Sequence, residues 1–115
     1  MTASIGGAAF NSHTCYESSS AGDPYYRVTA SIGDSLFIGI TIYSPDGYLH
    51  LATYPLGASD SMSHAGYTIG GDVAGAVSGS VTLTSINTGN DFTGTFSFTC
   101  VNGTVVNAGE FTAVF

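Results

Sequence analysis

Lysine is absent from this 115-residue chain, and Arg27 is its only basic residue. Six Asp and two Glu stand against it, so the formal net charge is −7. Phosphate backbones and anionic lipid surfaces are held by cationic side chains, so this balance argues against nucleic acid and anionic membranes as partners. Charged residues make up only 8 % of the chain, against about a quarter in ordinary soluble domains. Ser, Thr, Gly, Asn and Tyr must therefore form much of the surface, as suits a protein working outside the cell. No run approaches the roughly 20 consecutive apolar residues of a membrane-spanning helix, so no membrane insertion is expected. No basic start followed by an apolar stretch marks a signal peptide. Met1-Thr2-Ala3 is either a native start or what is left after removal of an export signal, and we expect the second. Tryptophan is missing too, which removes the broadest ring for stacking on sugars.

No stretch of ten or more residues carries apolar spacings of three and four, so helices are not expected. The 16 glycines are spread through the chain and disfavour helix interiors further. What is present is a series of Thr-, Val-, Ile-, Phe- and Tyr-rich runs separated by Gly, Asp, Asn and Pro. That pattern predicts an all-β domain, an antiparallel β-sandwich or barrel of about eight strands with short hairpin connections. One domain over residues 1–115 is the natural size. The predicted strands are 3–10, 25–32, 36–43, 48–54, 65–69, 77–86, 92–101 and 104–115.

Turn chemistry and side-chain parity fix several registers. Asn102-Gly103, read as a two-residue turn, sets Val101 opposite Thr104, Phe96 opposite Gly109 and Gly94 opposite Phe111. Each ring then covers a glycine across the hairpin. Phe92, Phe96, Phe98 and Cys100 face the core, while Thr93, Thr95, Ser97 and Thr99 face out. Val81 and Leu83 point in, with Thr82 and Thr84 outside. A three-residue turn at Gly33–Ser35 lets Val28 and Ala30 share a core row with Leu36, Ile38, Ile40 and Ile42. A turn through Pro45-Asp46 is expected to pair Ile42 with Leu49 and Ile40 with Leu51.

Two cysteines are too few for a disulfide framework or a Cys-based zinc site. In an extracellular composition we expect Cys15 and Cys100 to be joined as a disulfide. It would close a loop of about 85 residues and contribute ~4–5 kcal/mol in the chain-entropy model.

The most informative candidate surface is the outer face of the predicted 36–43/48–54 hairpin. Phe37, Thr41 and Tyr43 lie there with Tyr48, His50, Ala52 and Tyr54, which is too apolar a set for plain solvent. It is either covered by the fold's own second layer, or it is an interface or a sugar platform. His13, His50 and His64 lie on separate segments without metal-ligand spacing, so no metal is expected. Asp23, Asp34, Asp46, Asp60, Asp72 and Asp91 fall mostly in turns, where Asp is favoured for its own backbone chemistry. No Asp-x-Asp spacing supports calcium. Glu17 and Glu110 are the only glutamates; no nucleophile elbow or assignable carboxylate pair accompanies them, so neither catalysis nor a cofactor is expected. Asn102-Gly103-Thr104 is formally a glycosylation sequon but coincides with the tight turn. The Thr and Ser rows at 82, 84, 93, 95, 97 and 99 form a hydroxyl array of the kind seen in ice binders, though Thr favours exposed strands for propensity reasons alone.

The stretches Ser78-Gly79-Ser80-Val81-Thr82-Leu83-Thr84, Gly94-Thr95-Phe96-Ser97-Phe98-Thr99 and Asn107-Ala108-Gly109-Glu110-Phe111-Thr112, with Tyr54-Pro55-Leu56-Gly57, cover about half of the chain. They resemble small secreted β-sandwich domains of unknown function from surface lipoproteins of Bacteroides-type bacteria. The resemblance implies export and a non-catalytic β fold, and it supplies no ligand or site residue. Near-absence of lysine and the cysteine pair depart from that pattern.

These readings lead to an expectation of a non-enzymatic extracellular or cell-surface module. It would act as a structural or assembly subunit, with itself or other surface proteins as partners. The uncharged ends, apart from Glu110, can either add a strand to a neighbour or pair within their own sheet. The alternative is a carbohydrate-binding module using Tyr43, Tyr48 and Tyr54 on a glycan.

Overall fold

β-Branched and aromatic residues in alternation with small polar ones favour a pleated, half-buried backbone, and strands dominate the chain. The computed structural model describes residues 1–13, 15–19, 24–59 and 62–115; Asp23 and Asp60 lie outside the described residues. Among the described residues there is no helix, and ten strands follow one another. They are β1 (Thr2–Ile5), β2 (Ala8–Asn11), β3 (Cys15–Ser18), β4 (Tyr25–Ile32), β5 (Leu36–Tyr43), β6 (Thr53–Pro55), β7 (His64–Ile69), β8 (Asp72–Asn87), β9 (Asp91–Cys100) and β10 (Val105–Val114).

Seven of these close into a barrel in the order β10-β3-β4-β5-β7-β8-β9, with β9 returning to β10. All neighbours are antiparallel except β3 and β10, which run parallel at Tyr16 and Val114. The hairpin β1-β2 extends the sheet beyond β10, and β6 lies against β8. The long strands β8 and β10 make closure possible. The first part of β8 pairs with β7 and a later part with β6, while β9 runs along most of its other edge. Register shifts near Ala76–Ser78, Leu83–Ser85 and Val106–Gly109 mark bulges, which bend strands where a barrel turns its corners.

The predicted strands 25–32 and 36–43 are observed with those bounds, and Val28↔Ile40 and Ala30↔Ile38 pair as the turn parity requires. The predicted first strand, 3–10, is instead a hairpin. Gly6 (φ 56°) and Gly7 (φ 91°) form its two-residue turn, and Gly70 and Gly71 do the same between β7 and β8; both central positions of such a turn need positive φ. The two ends of the chain pair within one sheet, Thr2 opposite Glu110 and Ile5 opposite Val106.

The core joins Phe10, Val28, Ile38, Ile40, Ile42 and Val81 to the aromatic row Phe92, Phe96, Phe98 and Phe111. Phe96 sits opposite Gly109, and Phe111 opposite Gly94. A Cβ at position 109 would come within 2.5 Å of the Phe96 ring, so the ring occupies space only a glycine leaves. The turn itself differs from the expected two-residue form. Cys100 N–H donates to the Thr104 carbonyl and Gly103 N–H to the Cys100 carbonyl, so Val101-Asn102-Gly103 is a three-residue loop. Thr99 therefore pairs with Val105, and the bulge before Gly109 restores the expected register beyond it.

Two further expectations are corrected. Residues 48–54 do not pair with β5: Ile40 lies opposite Ala65 and Ile38 opposite Tyr67, so β7 takes that edge. Only Thr53–Pro55 is extended, and it pairs with β8. Cys15 and Cys100 are not bonded; both are free thiols. Cys15 precedes Tyr16, which is in register with Val114 and so with the Asp91 end of β9. Cys100 ends that strand at its other end. The eight residue steps of β9 from Phe92 to Cys100 span roughly 26 Å, far beyond the ~7 Å Cα separation a disulfide tolerates.

Candidate functional site

The chain after β5 turns back on itself because Ser44 and Asp46 offer the backbone partners that a strand would otherwise supply. Ser44, buried, places its Oγ between Asp46 Oδ1, at 3.0 Å, and the Tyr48 carbonyl. Tyr48 N–H donates to Asp46 Oδ1 at 3.0 Å, and His50 Nε2 lies 2.6 Å from Asp46 Oδ2. His50 N–H in turn donates to Tyr54 Oη at 3.0 Å. Donation from the Tyr48 backbone, followed by the His50 ring and the Ser44 hydroxyl, holds the Asp46 carboxyl below its ordinary range. The serine is joined to the carboxylate and not to the imidazole. The histidine is therefore not placed to take the serine's proton, as a hydrolytic triad requires.

This folded loop sits at the barrel end where β4 begins and β5 finishes. Tyr26 reaches it by donating its hydroxyl to the Gly47 carbonyl. Burial pushes the Tyr26 phenol up, and Glu17, Asp46, Tyr48 and Tyr54 add to the shift. Tyr26, Tyr48, Leu49, Ile86 and Phe115 enclose a cleft of about 330 Å³ at this mouth. A separate depression, lined by Pro45, Asp46, His50, Ala52 and Tyr54, lies on the other side of the loop.

The expected single face of Phe37, Tyr43, Tyr48, His50 and Tyr54 is therefore divided. Tyr43 packs against Tyr25 with ring centroids 5.2 Å apart, and Arg27 lies over the Tyr25 ring. Tyr48 belongs to the mouth cleft, and His50 and Tyr54 to the depression beside it. Phe37 stands apart, in a groove on the outside of the barrel. The floor of that groove is a row of glycines, since Gly39 pairs with Gly66 and Gly66 with Gly75 across β5, β7 and β8. Phe37, Thr68 and Val73 form one wall and Thr41 with His64 the other, around about 340 Å³. A glycine inside a strand pattern signals a close approach or a missing side chain. Three in separate strands were legible as such, but their alignment was not.

His13, His50 and His64 fall in three different depressions. Among the described residues, no three of His, Cys, Asp and Glu come together as a metal site would need. Burial pushes both thiols up, so neither Cys15 nor Cys100 is activated as a nucleophile. Asn102 Nδ2 donates to Tyr67 Oη at 3.0 Å, so the sequon amide is already engaged. Thr93 and Thr112, and Thr53 and Thr82, pair through their hydroxyls at 3.0 and 2.9 Å on the outer sheet face. No family model matches this sequence, and comparisons with curated proteins and with solved structures return no match.

Proposed function

We propose that this chain is a non-enzymatic β module of the cell exterior that serves as an assembly subunit through protein–protein contacts. The observation that carries the reading is the apolar outer surface around Gly75. Ala74 and Ala76 are buried, so Val73, Gly75 and Val77 point outward along β8. Val101 joins them, its N–H bonded to the Gly75 carbonyl. Val73, Val77 and Val101 are 77, 51 and 74 % exposed, and among the described residues no Asp, Glu, Lys or Arg lines the glycine-floored groove beside Val73. Contiguous exposed apolar surface is the usual mark of a contact region. The β1-β2 hairpin adds an uncharged sheet edge, lacking the lysines or prolines that commonly guard one.

An extracellular setting rests on composition and on the resemblance to exported domains, since the two thiols are not bridged. The glycan alternative has less support, because Tyr43, Tyr48 and Tyr54 do not share a face. Mass by light scattering against concentration tests the assembly reading. We expect values that rise above the 11.7 kDa of one chain, with Val73→Asp and Val101→Asp each returning the protein toward a monomer. A monomer at every concentration overturns self-assembly and leaves a different surface protein as the partner to seek.

A further inference from the structure

The two acids near the barrel mouth are in opposite states. Asp46 has both oxygens engaged, by Ser44, Tyr48 and His50. Glu17 lies directly opposite the fully buried Val28, so its side chain is directed to the interior. Its Oε1 is buried and meets no hydrogen-bond partner among the described residues. An ionisable oxygen buried without a partner is costly, and the chain holds one cationic side chain with which to relieve it. That side chain, Arg27, projects from the opposite face of β4, over the Tyr25 ring.

The surroundings of Glu17 define what would complement it. Phe115 follows Val114, whose parallel partner Tyr16 precedes Glu17, so the carboxylate is flanked on that side by the Phe115 position. On the other side Tyr26 is its diagonal neighbour across the β3-β4 pair, and diagonal neighbours are within reach of long side chains. Glu17 is also among the charges that raise the Tyr26 phenol. Phe115 and Tyr26 are two walls of the mouth cleft, which Tyr48, Leu49, Ile86, Thr88 and Gly89 complete, and Glu17 lies behind those two walls. Aromatic faces attract cations, most strongly where water is displaced. We infer that the barrel mouth is a binding site for a small organic cation, an alkylated ammonium group held between the Tyr26, Tyr48 and Phe115 rings with Glu17 as its counter-charge. The mostly apolar lining favours an alkylated ammonium over a strongly hydrated metal ion, and the net charge of −7 draws it in.

Choline titrated into the intact chain at fixed ionic strength, read by tyrosine fluorescence, is the test. We expect a saturable single-site response. The uncharged isostere 3,3-dimethylbutan-1-ol should give none comparable. Glu17→Gln should weaken choline binding by about tenfold or more, and Tyr48→Ala severalfold. Asp34→Asn, in the turn at the other end of β4, should leave it unchanged. Tyr48 is 71 % exposed, so its variant keeps the barrel and decides the matter even if Glu17→Gln does not fold. Absence of a saturable response, equal binding of the alcohol, or wild-type affinity in the position 48 variant overturns the site.

Discussion

The β9-β10 hairpin and the segment from Ser44 to Ala52 present the same surface signals in sequence, apolar alternation on either side of a Gly-containing turn. One became a hairpin and the other a folded loop. In the hairpin, side chains of the turn support the pairing: Asn102 Oδ1 accepts from Thr104 N–H, and the two strands then match ring to glycine. In the loop, Ser44 and Asp46 capture Tyr48 and His50, and the edge of β5 is taken by β7. Alternation is a necessary sign of a strand. It does not choose the partner, and short polar side chains at the turn decide whether the backbone stays free to pair.

The hairpin half of this contrast is broken most directly at Gly109. In Gly109→Ala the new methyl would meet the Phe96 ring at 2.5 Å, and that ring is buried against Phe98 and Phe111. A ring so placed cannot swing aside, and overpacking of this kind costs about 2–3 kcal/mol. A lowered denaturation midpoint with unchanged denaturant slope is the expected result. An unaffected midpoint would mean that the ring does not cover the glycine in solution.

That pairing was readable from sequence because two constraints agreed, turn parity and the need of each ring for an empty opposite position. The agreement survived a wrong turn length, since the bulge before Gly109 compensates for the extra loop residue. The same holds for β4 and β5, where Gly33–Ser35 fixed the pairing of Val28 with Ile40. Barrel closure was not readable, because the contact between Tyr16 and Val114 joins residues 98 positions apart with no local signal. The site was legible only in part. Tyr48, His50 and Tyr54 stood out, but placing Glu17 beside Tyr26 needed the β3-β4 register, and β3 is a four-residue strand that no turn announced.

The loop half is probed by acid. Asp46 has its carboxyl held below the ordinary range, first by the Tyr48 backbone and then by His50. A depressed folded value means that its contribution is fully present above the unfolded pKa, about 3.9 for Asp, and is lost as pH falls through the folded value. The group is exposed, so the global effect is small and the local one more telling. We expect tyrosine fluorescence from the loop to change below pH ~4 before the barrel unfolds, and Asp46→Asn to remove that early step. A single transition shared with global unfolding, unchanged in the variant, would show that Asp46 does not hold the loop.

The smallest effect expected is none at all, and it bears on the hairpin and on β3 beside the mouth, because each holds one cysteine. Cys100 closes the hairpin strand and Cys15 starts the strand that leads to Glu17. A bridge between them would have tied the N-terminal segment to the hairpin and contributed ~4–5 kcal/mol. The barrel instead separates them along β9, and Cys100 Sγ lies 3.9 Å from the Ala74 carbonyl, on the side toward β8. Adding a reductant should therefore leave the melting temperature where it was, and both thiols should react with a thiol reagent once the chain is unfolded. A large drop on reduction would require Cys15 near Cys100, which the parallel contact between β3 and β10 does not allow. The position of Glu17 at the mouth would then fall as well, since it depends on that same placement of β3.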